Sequence, residues 1–326
     1  MSTSTATAHP NIALAKYWGK RDEELIIPAT GSLSLTLDVF PTTTSVSLGH
    51  SDDDVVMLDG VALSGEESAR VRTVLDRVRA LSGRAEYAHV VSANTVPTAA
   101  GLASSAAAFA ALATAAADAY GLEADDRMLS RIARRGSGSA CRSVFPALAR
   151  WNAGTDDLTS FAEPLDWSGP ELAMIIGVVS TKRKAISSRA AMQRTVQSSP
   201  YFPAWVDSSA RLLERMSDAV ADGDVDTLGE LTEQSALRMH ASMFGAVPPI
   251  RYLSQASIAL FDAVAELRAD GLSAYATADA GPNVKILCRA DDSAAIVEGL
   301  RSIGADAEYV VAHAGPGARI IEREGA

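Results

Sequence analysis

The sequence predicts a two-domain protein of the α+β class. Its 326 residues exceed the usual size of a single domain. Strand patterns dominate the beginning of the chain, whereas three long helical patterns and a strand–strand–helix–strand ending make up its second half. The composition shifts at Asp-Trp-Ser-Gly-Pro, residues 166–170, and this break predicts domains at 1–168 and 169–326.

The first half combines alternating segments with two helical patterns. Ser-Leu-Ser-Leu-Thr-Leu alternates within 32–39 and predicts a half-buried strand. Residues 66–81 repeat Val and Leu at helical spacing, and the Ala-rich segment 105–120 consists of strong helix formers. Further strands are predicted at 11–16, 43–49, 54–58 and 88–93, and a short helix at 125–134.

The second half begins with a continuous apolar run, Leu172–Val179, between Pro170 and Ser180, which predicts a buried strand. Long helical patterns follow, and the chain ends in short strands around one more helix. The predicted helices cover 203–221, 225–242, 251–269 and 292–302, and the strands 273–278, 283–288 and 307–312.

Composition narrows the function classes. The net charge of −11 leaves no broad basic face for nucleic acid, so an anionic substrate would need a local cluster of Arg and Lys. Two cysteines, Cys141 and Cys288, are too few for a disulfide framework and fit a reducing cytoplasm. No apolar run reaches about 18 residues, so no membrane helix is predicted. The five histidines show no metal-ligand spacing, and the metal ligands stay unassigned.

The most informative segment is Pro97-Thr-Ala-Ala-Gly-Leu-Ala-Ser-Ser-Ala106, between a strand and the Ala-rich helix. Proline ends the strand, glycine allows close backbone approach, and two serines stand at the helix start. A helix N-terminus presents unpaired N–H groups to an anion, so the segment predicts a phosphate-binding loop. A tightly packed, serine-capped turn would show the same pattern.

Three more segments are rich in groups suited to anions or catalysis. Asn11-Ile-Ala-Leu-Ala-Lys-Tyr-Trp-Gly-Lys20 places two lysines and a tyrosine at a strand end, although exposed strand ends look similar. Arg134-Arg-Gly-Ser-Gly-Ser-Ala-Cys-Arg142 predicts a backbone anion nest with an arginine, or a capped helix end. Ala278-Asp-Ala-Gly-Pro-Asn-Val-Lys285 carries an aspartate at a strand end, which is either catalytic or an ordinary turn residue.

Together the four segments resemble the diphosphomevalonate decarboxylase family, in the superfamily of galactokinase, homoserine kinase, mevalonate kinase and phosphomevalonate kinase. The resemblance runs in order from Asn11 to about Lys285. It implies an N-terminal domain like ribosomal protein S5 domain 2, a C-terminal ferredoxin-like domain and a homodimer. The implied reaction uses ATP, with Mg²⁺, to convert mevalonate 5-diphosphate to isopentenyl diphosphate, CO₂, ADP and phosphate through phosphorylation of the 3-hydroxyl.

The resemblance also implies roles for individual residues. Asp279 corresponds to the catalytic aspartate. We expect Lys20 to favour its ionised form and to stabilise charge on the departing oxygen, and we expect Lys20 and Arg142 to offset the negative charges of the substrate. The implied substrate-binding residues are Tyr17, Trp18, Gly19, Lys20, Arg70, Ser137, Gly138, Ser139, Ala140, Cys141, Arg142 and Arg189. The implied nucleotide-binding residues are Ser92, Asn94, Gly101, Leu102, Ala103, Ser104 and Ser105.

Two departures from the family pattern affect the substrate pocket. Gly31 stands where many members have Asn or Asp, and Phe145-Pro-Ala-Leu148 replaces an aromatic-Gly-Gly-Phe segment. They leave the choice between mevalonate 5-diphosphate and 5-phosphate open. A mevalonate 3-kinase, a more distant small-molecule kinase such as homoserine kinase, and a non-catalytic sensor on the same scaffold are also compatible with this fold.

Overall fold

The computed structural model describes residues 2–49, 52–95, 104–180, 185–302 and 307–325. Its mixture of sheets and covering helices has the predicted α+β character. The first half contains β1 (Thr3–Ala8), β2 (Asn11–Ala15), β3 (Lys20–Asp22), β4 (Ile27–Pro28), β5 (Ser32–Thr36), β6 (Thr42–Leu48), β7 (Val55–Leu58), β8 (Val61–Ala62), α1 (Gly65–Ser82), β9 (Ala88–Asn94), α2 (Ser104–Ala119), α3 (Asp126–Gly136), β10 (Leu148–Asn152) and β11 (Phe161–Pro164).

A short 3-10 turn, Gly138–Cys141, follows α3. The second half contains β12 (Leu172–Val178), α4 (Ser188–Ser198), α5 (Phe202–Ala221), α6 (Val225–Phe244), α7 (Gln255–Ala269), β13 (Ala274–Ala278), β14 (Val284–Arg289), α8 (Ser293–Ser302), β15 (Glu308–His313) and β16 (Arg319–Glu324).

The first sheet has the strand order β16-β1-β6-β9-β7-β8 and packs against α1, α2 and α3. Alanines along α2 let the helix approach β1 and β6 closely, since they add little volume between the layers. Near the end of α2, Asp118 accepts hydrogen bonds from Arg323 of β16 and from Ser4 of β1. The last strand is therefore fixed to the first sheet by both its backbone and its side chain.

A second sheet, β11-β10-β5-β2, connects the two halves of the molecule. Leucines of β5 and β2 pack against α5 and α6 in a shared core that includes Leu33, Leu35, Leu213 and Leu228. The end of β2, where the Lys-Tyr-Trp-Gly-Lys segment begins, is thereby held between the halves.

The third sheet has the order β13-β14-β12-β15, and all its strand pairs are antiparallel. Numbered along the chain, these strands lie in the order 2-3-1-4, with helices between the first and second and between the third and fourth. This is the ferredoxin-like arrangement expected for the second half.

Several elements lie outside the predicted pattern. The helix α4 and seven strands were not predicted from local sequence, because short or polar strands are defined mainly by their pairing; the strands are β1, β3, β4, β8, β10, β11 and β16. Helix α7 begins at Gln255 rather than at 251, since Ser254 and Ser257 form a reciprocal capping box. The division at 168/169 stays a prediction, and β16 lies beyond it while pairing with β1.

Gly31 occupies a position without space for a side chain. A Cβ atom there would lie 2.6 Å from Leu213 Cδ2 and 2.8 Å from the carbonyl oxygen of Trp151. We expect Gly31→Asn to lower the free energy of unfolding by about 1–3 kcal/mol, the usual cost of overpacking. Urea denaturation followed by circular dichroism measures this, with Gly281→Asn as the control because a Cβ at Gly281 meets nothing within 4 Å. Equal midpoints for the two variants would contradict the prediction.

No helix in the described ranges is long and apolar enough to cross a membrane.

Candidate active site

A cleft of about 770 Å³ opens between the two halves of the chain. Its walls come from the end of β2, the start of α1, the 3-10 turn after α3, the start of α4 and the segment after β13. The structure thus brings together three of the four segments singled out in the sequence, and the serine at the start of α2 adds the fourth. The predicted site residues that line the cleft are Tyr17, Trp18, Lys20, Arg70, Ser105, Ser137, Gly138, Ser139, Arg142, Arg189 and Asp279.

Asp279 lies directly after β13 and contacts two buried lysines. Lys16 Nζ is 2.8 Å from Oδ1 of Asp279, and Lys285 Nζ is 3.4 Å from Oδ2. Burial opposes the ionisation of Asp279, but the two ammonium groups outweigh it and hold the pKa of this carboxyl well below its usual range. The carboxylate is therefore ionised at neutral pH and faces the cleft.

Lys20 does not take the place expected for it beside Asp279. Gly19 adopts a left-handed conformation with φ +82° and turns the chain, so Lys20 enters β3 and pairs with Glu23 at 2.5 Å. The predicted Lys20–Asp279 pairing is therefore wrong, and Lys16 occupies that position. The backbone N–H of Lys16 donates to Ser235 Oγ at 2.9 Å, which fixes the lysine at the strand end.

Arg142 also lines the cleft, and it is buried with neutral hydrogen-bond partners. Its Nη1 donates to Ser32 Oγ at 2.5 Å and its Nη2 to Asn11 Oδ1 at 3.1 Å. Among the described residues no carboxylate lies within ion-pair distance of Arg142, and its Nε has no partner there. Burial lowers the pKa of this guanidinium. A buried cation whose hydrogen-bond partners are all neutral is suited to an anionic ligand.

The small residues between α3 and Arg142 are small for steric reasons. A Cβ on Gly138 would lie 2.8 Å from the Tyr17 hydroxyl, and one on Gly136 would overlap the ring of Phe109. Tyr17 in turn packs against Trp151 with the ring centroids 4.8 Å apart. The loop can therefore approach the strand end closely and present its backbone to the cleft.

Three predicted substrate contacts do not line the cleft. Ala140 and Cys141 belong to the 3-10 turn and are fully buried, and burial raises the pKa of the Cys141 thiol to about 12. Gly19 lies against Phe202, where a side chain would clash. Ala140 and Cys141 do not reach the cavity because a 3-10 turn directs successive residues to different sides. Gly19 lies outside that turn, in the bend between β2 and β3.

Arg70 and Arg189 lie at the cleft from opposite halves of the chain. Arg70 of α1 donates from Nε and Nη2 to the carbonyl oxygen of Gly136 at 3.0 and 2.7 Å. Arg189 of α4 pairs with Glu66 of α1, so an ion pair crosses between the halves. Both side chains line the cleft, and their substrate-binding role stays a prediction.

A smaller pocket of about 190 Å³ adjoins the cleft. Ser92, Asn94, Ser104 and Ser105 line it together with apolar residues of β7, β9, α1 and α2. Ser105 also lines the main cleft, so the two cavities meet at the start of α2. Gly101, Leu102 and Ala103, the remaining predicted nucleotide contacts, lie outside the described residues.

Two contributions to the site were not recognised in the sequence, those of Lys285 and Asn11. Lys285 ends the Asp279 segment and reaches the aspartate only because β13 and β14 pair. Asn11 Nδ2 donates to the Ser139 carbonyl oxygen at 3.0 Å and to Ser143 Oγ at 2.8 Å, which ties β2 to the turn that carries Arg142. An uncharged residue that begins a strand carries no local signal of such a role.

Two family models match most of the chain. The model described as diphosphomevalonate decarboxylase-like N-terminal domain matches residues 8–162. The model described as mevalonate 5-diphosphate decarboxylase C-terminal domain matches residues 174–315.

Individual relatives agree with these models. The diphosphomevalonate decarboxylase of Schizosaccharomyces pombe is 36% identical over an alignment of 328 positions, gaps included. The alignment covers 93% of this chain and 83% of that protein. A structure described as MDDEF in complex with MVAPP, AMPPCP and magnesium is 43% identical with a TM-score of 0.92, covering 99% of this chain and 100% of that one. A structure of the mevalonate diphosphate decarboxylase from Enterococcus faecalis, which describes an ATP-binding mechanism mediated by mevalonate diphosphate, is also 43% identical, with a TM-score of 0.91 and the same coverage.

These similarities extend over both halves and confirm the predicted two-domain fold of the small-molecule kinase superfamily. Three of the four segments on which the family resemblance rests line one cleft. They are the Lys-Tyr-Trp-Gly-Lys strand end, the turn that carries Arg142 and the Asp279 segment. The chain belongs to the diphosphomevalonate decarboxylase family.

Proposed function

We propose that this protein catalyses the ATP-dependent decarboxylation of mevalonate 5-diphosphate to isopentenyl diphosphate, CO₂, ADP and phosphate. The observation that carries the proposal is the arrangement of charge in the cleft. An ionised aspartate held by two buried lysines faces a cavity that is also lined by a buried arginine, and this arginine hydrogen-bonds only to neutral groups. Such a cavity suits a substrate with anionic ends and a hydroxyl between them.

The substrate would lie between the basic residues of the two halves. We assign the diphosphate to Arg70, Arg189, Lys20 and the backbone of Ser137–Ser139, because all of these groups line the cleft and can donate hydrogen bonds to an anion. We assign the carboxylate to Arg142, which otherwise has neutral partners. The 3-hydroxyl then falls towards Asp279, and Tyr17 and Trp18 close the apolar side of the cavity.

The nucleotide would occupy the smaller pocket and reach the cleft past Ser105. The pocket is largely apolar, with serine and asparagine groups at its edge, which suits a base and ribose. The start of α2 supplies N–H groups and hydroxyls for phosphates. No group of three or more metal-ligating side chains occurs in the part of the chain that the structure describes, and we propose that Mg²⁺ is held mainly by nucleotide phosphates with a serine hydroxyl.

The residues of this chain direct two linked events. ATP supplies the phosphoryl group that turns the 3-hydroxyl into a leaving group. Asp279 orients this hydroxyl and accepts its proton late, because a strongly ionised carboxylate is a weak base towards an alcohol. Lys16 then faces the charge on the departing oxygen, while Arg142 holds the carboxylate in line for the loss of CO₂. Positioning and charge stabilisation account for most of this catalysis.

The test compares mevalonate 5-diphosphate, mevalonate 5-phosphate and mevalonate, each with Mg²⁺ and ATP, by measuring CO₂ and ADP. We expect stoichiometric CO₂ and ADP with the diphosphate and much slower turnover with the remaining two compounds, since two guanidinium groups are available for the diphosphate. CO₂ release mainly from the 5-phosphate would reassign the substrate. ADP without CO₂ would show a 3-kinase, and no ADP with any compound would favour the non-catalytic sensor.

A bulky side chain in the smaller pocket should weaken the binding of ATP but not that of mevalonate 5-diphosphate. Ala108 lies on the pocket wall and is only partly buried. We expect Ala108→Phe to raise KM for ATP by about tenfold or more by removing space for the nucleotide, with little change in KM for mevalonate 5-diphosphate. Ala80→Phe, at an exposed position of α1, is the matched control. An equal effect on both KM values would contradict the assignment of this pocket.

We also propose a homodimer and a cytoplasmic location. The family implies the dimer, and the two buried free cysteines are compatible with a reducing compartment. Analytical ultracentrifugation tests the first proposal, since a single species at 34.0 kDa would contradict it.

A further inference from the structure

Asp279 is held on both of its oxygens, but its two lysines differ in access to the cleft. Lys16 lines the cavity, and its Nζ also donates to the Ala13 carbonyl oxygen at 2.8 Å. Lys285 does not line the cavity, and its side chain is 2% exposed. One lysine is therefore placed to reach a substrate, whereas the other contacts only the protein.

The hairpin of β13 and β14 fixes Lys285 beside Asp279. Lys285 is the cross-strand partner of Thr277, which stands two residues before Asp279. The side chains of Lys285 and Asp279 therefore leave the sheet on the same face. Lys285 Nζ also donates to the carbonyl oxygen of Asn283 at 3.2 Å. The Asn283 side chain in turn accepts hydrogen bonds from the N–H groups of Val179 and Ser180, each at 3.0 Å. The turn and its lysine are thus tied to the end of β12.

The charges around Asp279 indicate why its carboxylate has two lysine partners. Besides the two lysines, two more groups interact electrostatically with the Asp279 carboxylate. They are Arg142 in the turn after α3 and His240 of α6. Burial and the repulsion of Lys16 lower the pKa of His240 to about 4, so His240 is neutral at pH 7. An arriving anionic substrate competes for Lys16, which would leave Asp279 without a close cation unless Lys285 remained.

We propose that Lys285 is a positioning residue: it fixes the Oδ2 side of Asp279, so that Lys16 can turn to the substrate while the aspartate keeps its orientation and charge. This inference rests on the proposed decarboxylase function. Lys285 acts entirely through Asp279 and does not contact the substrate.

Kinetics of Lys285→Met test the inference. We expect kcat to fall by roughly a hundredfold, the usual effect of losing one preorganised donor at a reacting group, with KM for mevalonate 5-diphosphate within about threefold. Removal of a cation raises the pKa of Asp279, so the acid limb of the kcat–pH profile should move to higher pH. Lys285→Arg keeps the charge and should restore the acid limb and part of kcat.

The matched control is Arg289→Met, which removes a cation from the same strand. Arg289 pairs with Asp226 at 2.9 Å, at the end of β14 away from Asp279. We expect its kcat and pH profile to match the wild type. A kcat of Lys285→Met within threefold of the wild type, or an equal loss of activity in Lys285→Arg, would overturn the positioning role.

A spectroscopic measurement separates this inference from the proposed function. The ¹³C carboxyl signal of Asp279, assigned by its loss in Asp279→Asn, reports ionisation without turnover. Its titration midpoint should rise in Lys285→Met and stay unchanged in Arg289→Met, even if the wild type released no CO₂ and the decarboxylase proposal failed. The same titration midpoint in both variants would overturn the inference about Lys285, whatever the outcome for the decarboxylase function.

Discussion

Asp279→Asn should reduce kcat by roughly 10²- to 10⁴-fold, the range expected when a positioned proton acceptor is removed. The amide keeps the size of the side chain but cannot accept the proton of the 3-hydroxyl. It also provides no charge for Lys16 and Lys285, which contact the carboxylate at 2.8 and 3.4 Å. Initial-rate measurements of CO₂ and ADP formation check the prediction, and loss of both products together would place the defect at or before phosphoryl transfer.

The fold and substrate affinity of this variant need separate measurement, because two buried ammonium groups lose their counter-ion. Circular dichroism and calorimetric titration with mevalonate 5-diphosphate serve this purpose. Asp279→Glu is the second variant, since it keeps the charge and moves the oxygens by one methylene. We expect it to remain folded, bind substrate and still lose roughly 10²-fold in kcat, because the reacting atoms are misplaced. Near-wild-type turnover in Asp279→Asn would refute the catalytic assignment.

Arg142→Met should abolish most activity without a large loss of stability. The guanidinium is buried against Ser32 and Asn11, with no carboxylate partner among the described residues. Replacing such a cation with an apolar side chain removes a desolvation cost, so we expect the thermal midpoint to change little. Removing the anion-binding group should cost about 10²- to 10³-fold in kcat/KM, because its charge is then missing both when the substrate carboxylate binds and in the transition state. Thermal denaturation and substrate kinetics measure the two effects.

Arg134 provides the matched comparison because it is also a buried arginine. Unlike Arg142 it has an acidic partner, Asp157, whose Oδ1 lies 2.7 Å from Nη2. Arg134→Met should therefore lower the free energy of unfolding by about 1–3 kcal/mol, the cost of losing a charged hydrogen bond, and leave KM nearly unchanged. The assignment of Arg142 to the substrate would be wrong if Arg142→Met behaved in the same way.

The sequence predicted most of the elements that build the site, because each has a local pattern. The helix α1 follows the periodicity of its valines, and β12 follows a continuous apolar run. The strands β10 and β16 were missed, since β10 is short, β16 is rich in charged residues, and both gain their extended conformation from neighbours far along the chain. The pairing of β16 with β1 joins the two ends of the described chain, and no local pattern contains that information.

The sequence by itself determined the family, the order of the four segments and the types of group that they contribute. A predicted phosphate-binding loop, an arginine after small residues and an aspartate at a strand end follow from residue types and short spacings. Only the tertiary structure decided which of these groups meet. It placed Lys16 rather than Lys20 on Asp279, added Lys285 behind it, and left Arg142 with neutral partners. The physical reason is that ion pairing depends on distances of a few ångströms between residues separated by as many as 263 positions, which packing and chain turns fix after the local elements have formed.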